Sequence, residues 1–211
     1  AGLTALPRAQ PRGARIRRPR KPLKILAQRR GELVDVATRL FLEKGYHKTS
    51  IRDIARACPF NLAALYMYVS SKEDILFLVA QQLVTEIVDA IQPASLSNHD
   101  PAEALVFAFQ TYCSVVERLP RHIRLLYREL DLLPPQARGM VFKSVASLIG
   151  IFEDLLTRAM KAKRIRKVDA KLVGLDMMVL AHMWALHGRQ LRDHLDMDEF
   201  MRGQRDLMFY G

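Results

Sequence analysis

The chain has 211 residues, 50% of them hydrophobic, and carries 33 Lys+Arg against 22 Asp+Glu, a net charge of +11. This composition excludes a disordered chain, and two cysteines, Cys58 and Cys113, are too few for a disulfide scaffold and lack zinc-ligand spacing. The charge is uneven: residues 1–72 hold 16 basic and 4 acidic side chains, residues 73–211 hold 17 and 18, and the first 30 hold ten bases and no acid. A basic head on a near-neutral body is the asymmetry of a polyanion binder, with nucleic acid the first candidate.

Residues 1–24 mix Pro, Arg and Gly without hydrophobic periodicity and read as a flexible basic arm. Pro7, Pro11, Pro19 and Pro22 argue against the amphipathic helix of an organellar transit peptide, and no apolar secretory leader is evident. A cytoplasmic location is therefore expected. From Ile25 onward the pattern has helical period and almost nothing alternates with period two, which predicts an all-α fold of about nine helices.

The first helix is expected over Ile25–Lys44, with Leu33, Val36, Ala37, Leu40 and Phe41 on one stripe and Gly45 as its stop. The second, Ser50–Ala57, opens with the capping-box spacing of Ser50 and Asp53 and is broken by Cys58-Pro59-Phe60. The third runs from its cap Asn61 to about Val69, with Phe60 and Leu65 spaced as a hydrophobic staple. Its wheel turns Leu65 and Val69 inward, puts Asn61 and Tyr68 at the edges, and points Ala63, Tyr66 and Met67 away, with Ala64 beside them. Ser71 caps a fourth helix reaching about Ile91, where Pro93 helps to end it.

Further helices near 101–118, 121–131, 134–163, 169–192 and 196–209 complete the body. Its longest apolar runs, Ala104–Val116 and Met177–Gly188, fall well short of the ~18 residues of a membrane span, so no membrane partner is expected. The expected layout is an arm (1–24), a helix-turn-helix head (25–72) and a helical body (73–211). Two short helices joined by a turn, just after an arginine-dense arm, have the form of a DNA-binding helix-turn-helix.

The run from Thr49 to Ala57, followed by Leu65-Tyr-Met-Tyr-Val69 and Ser71-Lys-Glu73, resembles the N-terminal signature of the tetracycline-repressor (TetR) family. Ala37-Thr-Arg-Leu-Phe-Leu-Glu-Lys-Gly-Tyr46 is similar to that family's first helix, and the likeness covers about Leu33–Leu78 without a gap. The resemblance implies a homodimer whose heads read half-sites of operator DNA in successive major grooves. It implies that the all-helical body (73–211) is a ligand-binding and dimerisation domain with a pocket for a small-molecule effector, and that the protein is bacterial and nucleoid-associated; no cofactor is expected.

It also implies residue roles. Thr49 and Ser50 fall where the family contacts phosphate. Leu62, Ala63 and Met67 fall where it meets base edges. Tyr66 and Tyr68 fall on tyrosines that reach the backbone, and Lys72 on the phosphate-pairing lysine that couples head to body. Phosphate contacts of this kind fix register, and groove contacts select sequence.

Two positions depart from the family pattern. Pro59 stands where the family usually has a glycine of positive φ, so the turn needs another backbone course. Leu62 stands where lysine is common, which leaves the reading helix almost no side-chain donors besides Asn61. Apolar contacts to thymine methyls and DNA shape would then carry much of the selectivity.

The arm, with Arg15, Arg17 and Arg18 among its bases, suits phosphate neutralisation and minor-groove insertion. In the body, Phe107, Tyr112, Met140, Phe152 and Met178 are candidate pocket residues, with Asp176 and His182 as polar anchors. At helical spacing such residues are more often plain core than ligand contacts. His182 and His187 are five apart, not a helical metal pair, so no metal is expected. The basic run Lys161–Lys167 reads as a solvated helix end.

By the resemblance, the last two helices (about 169–209) form the homodimer interface; a stripe of Leu172, Leu175, Val179, His182 and Leu186 would serve it, or could face the monomer's own core. The preferred reading is a ligand-released repressor. The rivals are an architectural DNA binder that uses the arm alone and a helical enzyme, although no nucleophile elbow, P-loop, H-E-x-x-H or dinucleotide fingerprint is present. Deleting residues 1–22 is expected to weaken DNA binding uniformly across sequences and to flatten the slope of log K against log salt, measured by fluorescence anisotropy titration.

Overall fold

The computed structural model of the protein describes residues 23–96 and 100–209. Among these residues the chain is all-α, with no strand. The helices are α1 (Leu23–Lys44), α2 (Ile51–Ala57), α3 (Leu62–Leu65), α4 (Lys72–Leu96), α5 (Pro101–Arg118), α6 (Pro120–Glu129), α7 (Pro135–Lys161), α8 (Ala170–Arg192) and α9 (Met197–Phe209). A 3-10 turn, Leu130–Leu132, separates α6 from α7. No described helix is long and apolar enough to cross a membrane. Arg15, Arg17, Arg18 and the rest of residues 1–22 lie outside the described residues.

Helix starts follow local chemistry. Asp100 accepts from the amides of Ala102 and Glu103, and Asp169 from those of Lys171 and Leu172, which satisfies donors that no helical carbonyl reaches. Pro101, Pro120 and Pro135 occupy first-turn positions, where a missing N–H costs nothing.

Three ends differ from the sequence expectation. α4 does not stop before Pro93 but continues to Leu96. Proline removes one ladder bond and crowds the preceding turn, yet Ile91 and Ala94 stay buried in the core, and Arg158 of α7 donates to the Ser95 carbonyl. The third helix is a short one: α3 ends at Leu65, and Met67 and Tyr68 donate to Ala64 and Leu65 in i→i−3 bonds that tighten its last turn. α7 ends at Lys161 in a Schellman closure, Arg164 N–H to Ala159 C=O and Lys163 N–H to Met160 C=O, with Lys163 at φ 56°. α8 is kinked at His187 (φ −116°, ψ 15°). Next to the kink, Gly188 leaves room for the Arg192 guanidinium, which reaches over the Trp184 ring.

Two apolar cores form. One joins α1, α2 and α3 to the first part of α4 through Leu33, Phe41, Ile54, Leu65, Ile75 and Leu76, and takes in Leu125, Leu133 and Val141 from α6 and beyond. The other gathers Leu83–Ala94 of α4 with α5, α7, α8 and α9. α4 therefore contributes to both. Phe152 lies fully buried in the second core, its ring 5.8 Å from that of Tyr112. Phe152→Ala should cost about 3–5 kcal/mol, seen as a lowered urea midpoint at unchanged slope.

Candidate nucleic-acid interface and ligand cavity

The start of α2 is built by a reciprocal cap. The Ser50 hydroxyl accepts from the Asp53 amide (3.1 Å) and donates to the Asp53 carboxylate (2.6 Å), which also accepts from the Ser50 amide (3.0 Å). These bonds from Ser50 hold the Asp53 carboxyl below the usual carboxylate range. α2 ends at Cys58 in extended backbone (φ −83°, ψ 153°), and Asn61 is extended as well (φ −74°, ψ 168°). The described residues contain no positive φ between Gly45 and Lys163, so the turn through Pro59 dispenses with the left-handed residue. Asn61 then starts α3, its Oδ1 accepting from the Ala64 amide at 2.9 Å.

On α3 and its closing turn, Leu65 and Val69 are buried, while Ala63 is exposed, Tyr66 is 52% exposed and Met67 74%. Leu62 is only half-exposed and packs against the first core. Tyr68 is also half-buried, its ring 6.0 Å from that of Phe60. Thr49 is buried, and all its donors are in use: the hydroxyl donates to the carbonyls of Gly45 (2.8 Å) and Leu40, and the amide to Tyr46. Its side chain closes the end of α1 and leaves Ser50 as the exposed residue at the start of α2.

Lys72 donates to the Tyr46 carbonyl (3.1 Å) and lies 4.2 Å from the centre of its ring. The Tyr46 hydroxyl donates to Glu73 (3.1 Å), and burial together with that carboxylate pushes its pKa well up. A second link joins head and body. The buried Glu129 of α6 accepts from Arg128 (2.6 Å) and meets His47 at 3.2 Å, and Arg121 donates to the Leu42 carbonyl at the end of α1. Nothing in residue spacing announces these links, because they join segments that only folding brings together.

The body holds a cavity of about 310 Å³ between α4, α5, α6, α7 and α8. Tyr112, Met178 and His182 of the expected set line it. The other four do not. Phe107 and Met140 are exposed, Asp176 is exposed on α8, and Phe152 is core. Rotation about the helix explains this: Met178 and His182, four apart, share a face, whereas Asp176 lies two residues, about 200°, from Met178. Tyr127 of α6 and Phe142 of α7 complete the wall instead.

His182 is buried between two tyrosines. Its Nε2 lies 2.6 Å from the Tyr112 hydroxyl and its Nδ1 2.9 Å from the Tyr127 hydroxyl. Burial lowers the imidazole pKa to about 4 and raises both phenols, so all three groups are neutral at pH 7. Asp131, paired with Arg138 at 3.1 Å, stands at the rim. His182 therefore forms the buried edge of the expected stripe, while Leu172, Leu175, Val179 and Leu186 form an exposed apolar row beside it on α8. Among the described residues no group of His, Cys, Asp and Glu could hold a metal ion.

Comparison with known proteins accords with this architecture. The family model described as bacterial regulatory proteins, tetR family, matches residues 33–79. The HTH-type transcriptional regulator HbdR of Aromatoleum sp. (strain CIB) is 27% identical over 178 residues, covering 84% of this chain and 78% of that protein. The HTH-type transcriptional activator FasR of Mycolicibacterium smegmatis is 25% identical over 150 residues, 70% of this chain and 68% of that one. Among solved structures, the TetR-family regulator PfmR of Thermus thermophilus superposes with a TM-score of 0.71 at 26% identity, covering 85% of this chain and 97% of PfmR. Residues 33–79 therefore carry the segment characteristic of the tetR family of bacterial regulatory proteins, and the chain as a whole shares the fold of TetR-family regulators.

Proposed function

We propose that the protein is a homodimeric repressor that holds operator DNA with residues 23–72 and releases it when a small, largely apolar effector fills the cavity. The observation that carries this reading is the double role of α4. At Lys72 and Glu73 it grips Tyr46 of the head, and from Leu83 to Ile87 it forms a wall of the cavity. A ligand that prefers a different setting of α4 therefore changes the orientation of the head, and the coupling equals its preference between the two settings.

Ala63, Tyr66 and Met67 are the side chains with free access to a groove, and Tyr66 is the candidate for phosphate; Ser50 is exposed, but its hydroxyl and amide donate to Asp53, so it meets a phosphate only by giving up one of those bonds. Asn61 is exposed but its Oδ1 is held by the Ala64 amide, and Leu62 and Tyr68 reach DNA only with their outer faces. Lys72 lies partly buried against Tyr46 and acts on DNA chiefly by holding α4 to the head. Arg15, Arg17 and Arg18 would add sequence-independent affinity. Tyr112, Tyr127, Phe142, Met178 and His182 would meet the effector. The exposed row of Leu172, Leu175, Val179 and Leu186 supports dimerisation through α8, with α9 beside it.

Two experiments test the reading. Against an operator selected from random duplexes, Tyr66→Phe should weaken binding about tenfold in fluorescence anisotropy without shifting the melting temperature. Thr49→Val should instead lower stability by about 1–2 kcal/mol, acting on DNA only through that loss. Undiminished binding by Tyr66→Phe would remove the tyrosine from the interface. Val179→Glu, which places a charge in the exposed row, should convert the dimer to a monomer in size-exclusion chromatography with light scattering and abolish tight operator binding. A wild-type protein that is already a monomer at micromolar concentration would overturn the dimer.

A further inference from the structure

The cavity has one polar feature that its apolar walls do not explain: a neutral histidine clamped between two phenols. A neutral imidazole has one donor and one acceptor nitrogen, so the two contacts cannot be of the same kind. The separations, 2.6 Å at Nε2 and 2.9 Å at Nδ1, are compatible with a hydroxyl donor at the first and an N–H donor at the second.

Burial selects the same assignment. Tyr112 is fully buried, and a hydroxyl proton there without an acceptor would carry a heavy desolvation cost, so it is directed to Nε2. The Nδ1 proton then goes to the Tyr127 oxygen, which leaves the Tyr127 hydroxyl proton with no acceptor among the described residues. Tyr127 is 53% exposed, and its hydroxyl stands at the cavity, where water can accept the proton when no ligand is present. A ligand that enters displaces that water, and only one carrying its own acceptor replaces the lost bond.

The charge around the site narrows the ligand further. The charged side chain bordering the cavity is Asp131, an acid, and no lysine or arginine is among the lining residues. A carboxylate entering this space would shed its hydration with no cation to receive it and with Asp131 at the rim. We infer that the effector is a neutral molecule, an apolar chain or ring bearing a carbonyl acceptor such as a ketone, ester or thioester, and that the Tyr127 hydroxyl donates to that carbonyl. His182 and Tyr112 act as positioning residues that keep the Tyr127 proton pointed into the cavity.

This inference rests on the reading of the cavity as the effector site. The test titrates the full-length protein with three probes of matched length, methyl hexyl ketone, octane and octanoate, following the fluorescence of Trp184, the single tryptophan. The wild type should bind the ketone more tightly than octanoate. Tyr127→Phe should weaken the ketone about tenfold and leave octane unchanged, since it removes one hydrogen bond and no apolar surface. The ketone carbonyl stretch in infrared difference spectra should sit at the lower frequency of a hydrogen-bonded carbonyl in the wild type and revert in the variant.

Equal weakening of ketone and octane by Tyr127→Phe, an unchanged ketone affinity, or tighter binding of octanoate would overturn the assignment and leave the apolar pocket standing. Failure of all three probes to bind would overturn the pocket reading as well.

Discussion

A helix buried in two places by two different cores cannot adjust in one without straining the other. α4 is such a helix. Ile75, Leu76, Val79 and Ala80 close the core under α1, α2 and α3, and Leu83, Ile87, Ile91 and Ala94 close the core of the body. Its 25 residues span about 37 Å of continuously hydrogen-bonded backbone, interrupted only near the far end by Pro93. Close-packed cores respond to a misfit by shifting to another packing rather than by compressing. In the proposed mechanism a change in the walls of the cavity is passed along α4 as a displacement of its first turn, where Lys72 and Glu73 hold Tyr46.

α6 adds a second constraint that the sequence does not advertise. One end reaches the carbonyl of Leu42 through Arg121, the other reaches His47 through Glu129, and Tyr127 between them faces the cavity. A short helix held at both ends to the head and lining the cavity in its middle has little freedom to respond on one side alone. The surface contacts are individually weak, but Glu129 is buried, and a buried carboxylate that loses its partners is strongly disfavoured. The pair of helices, rather than α4 alone, ties the cavity to the reading head.

The polar chemistry is divided between the two regions in a way that follows from solvent access. In the head, side chains with free donors stand in water and are suited to phosphates. In the body, Tyr112 and His182 are almost entirely enclosed, so each must satisfy the other, and burial keeps both uncharged. Mutual satisfaction turns an adaptable imidazole into a fixed support. The directionality left over is concentrated in the one hydroxyl that reaches the open space.

Much of the head was legible without coordinates, because its signals are local. The box at Ser50 and Asp53, the cap at Asn61, the stop at Gly45 and the inward pair Leu65 and Val69 depend on residues within one or two turns of each other, and the structure realises each. The expectation of an all-helical chain came from helical spacing, and that of a DNA-reading head from the same local motifs together with the charge asymmetry and the family resemblance. What spacing could not decide was rotational phase and partnership. His182 stands in an apolar helix and can be assigned to a surface stripe or a pocket with equal ease, and only the packing of α8 against α5 and α6 turned it inward and left Leu172, Leu175, Val179 and Leu186 outside. The same packing sent Phe152 into the core, left Phe107 on the surface and brought Tyr127 to the cavity from a helix that carried no ligand signal. Helix formation and capping are near-neighbour interactions written in consecutive residues, whereas the side a residue faces is set by elements distant in the chain, so the sequence by itself determined the helices and the tertiary structure decided the site.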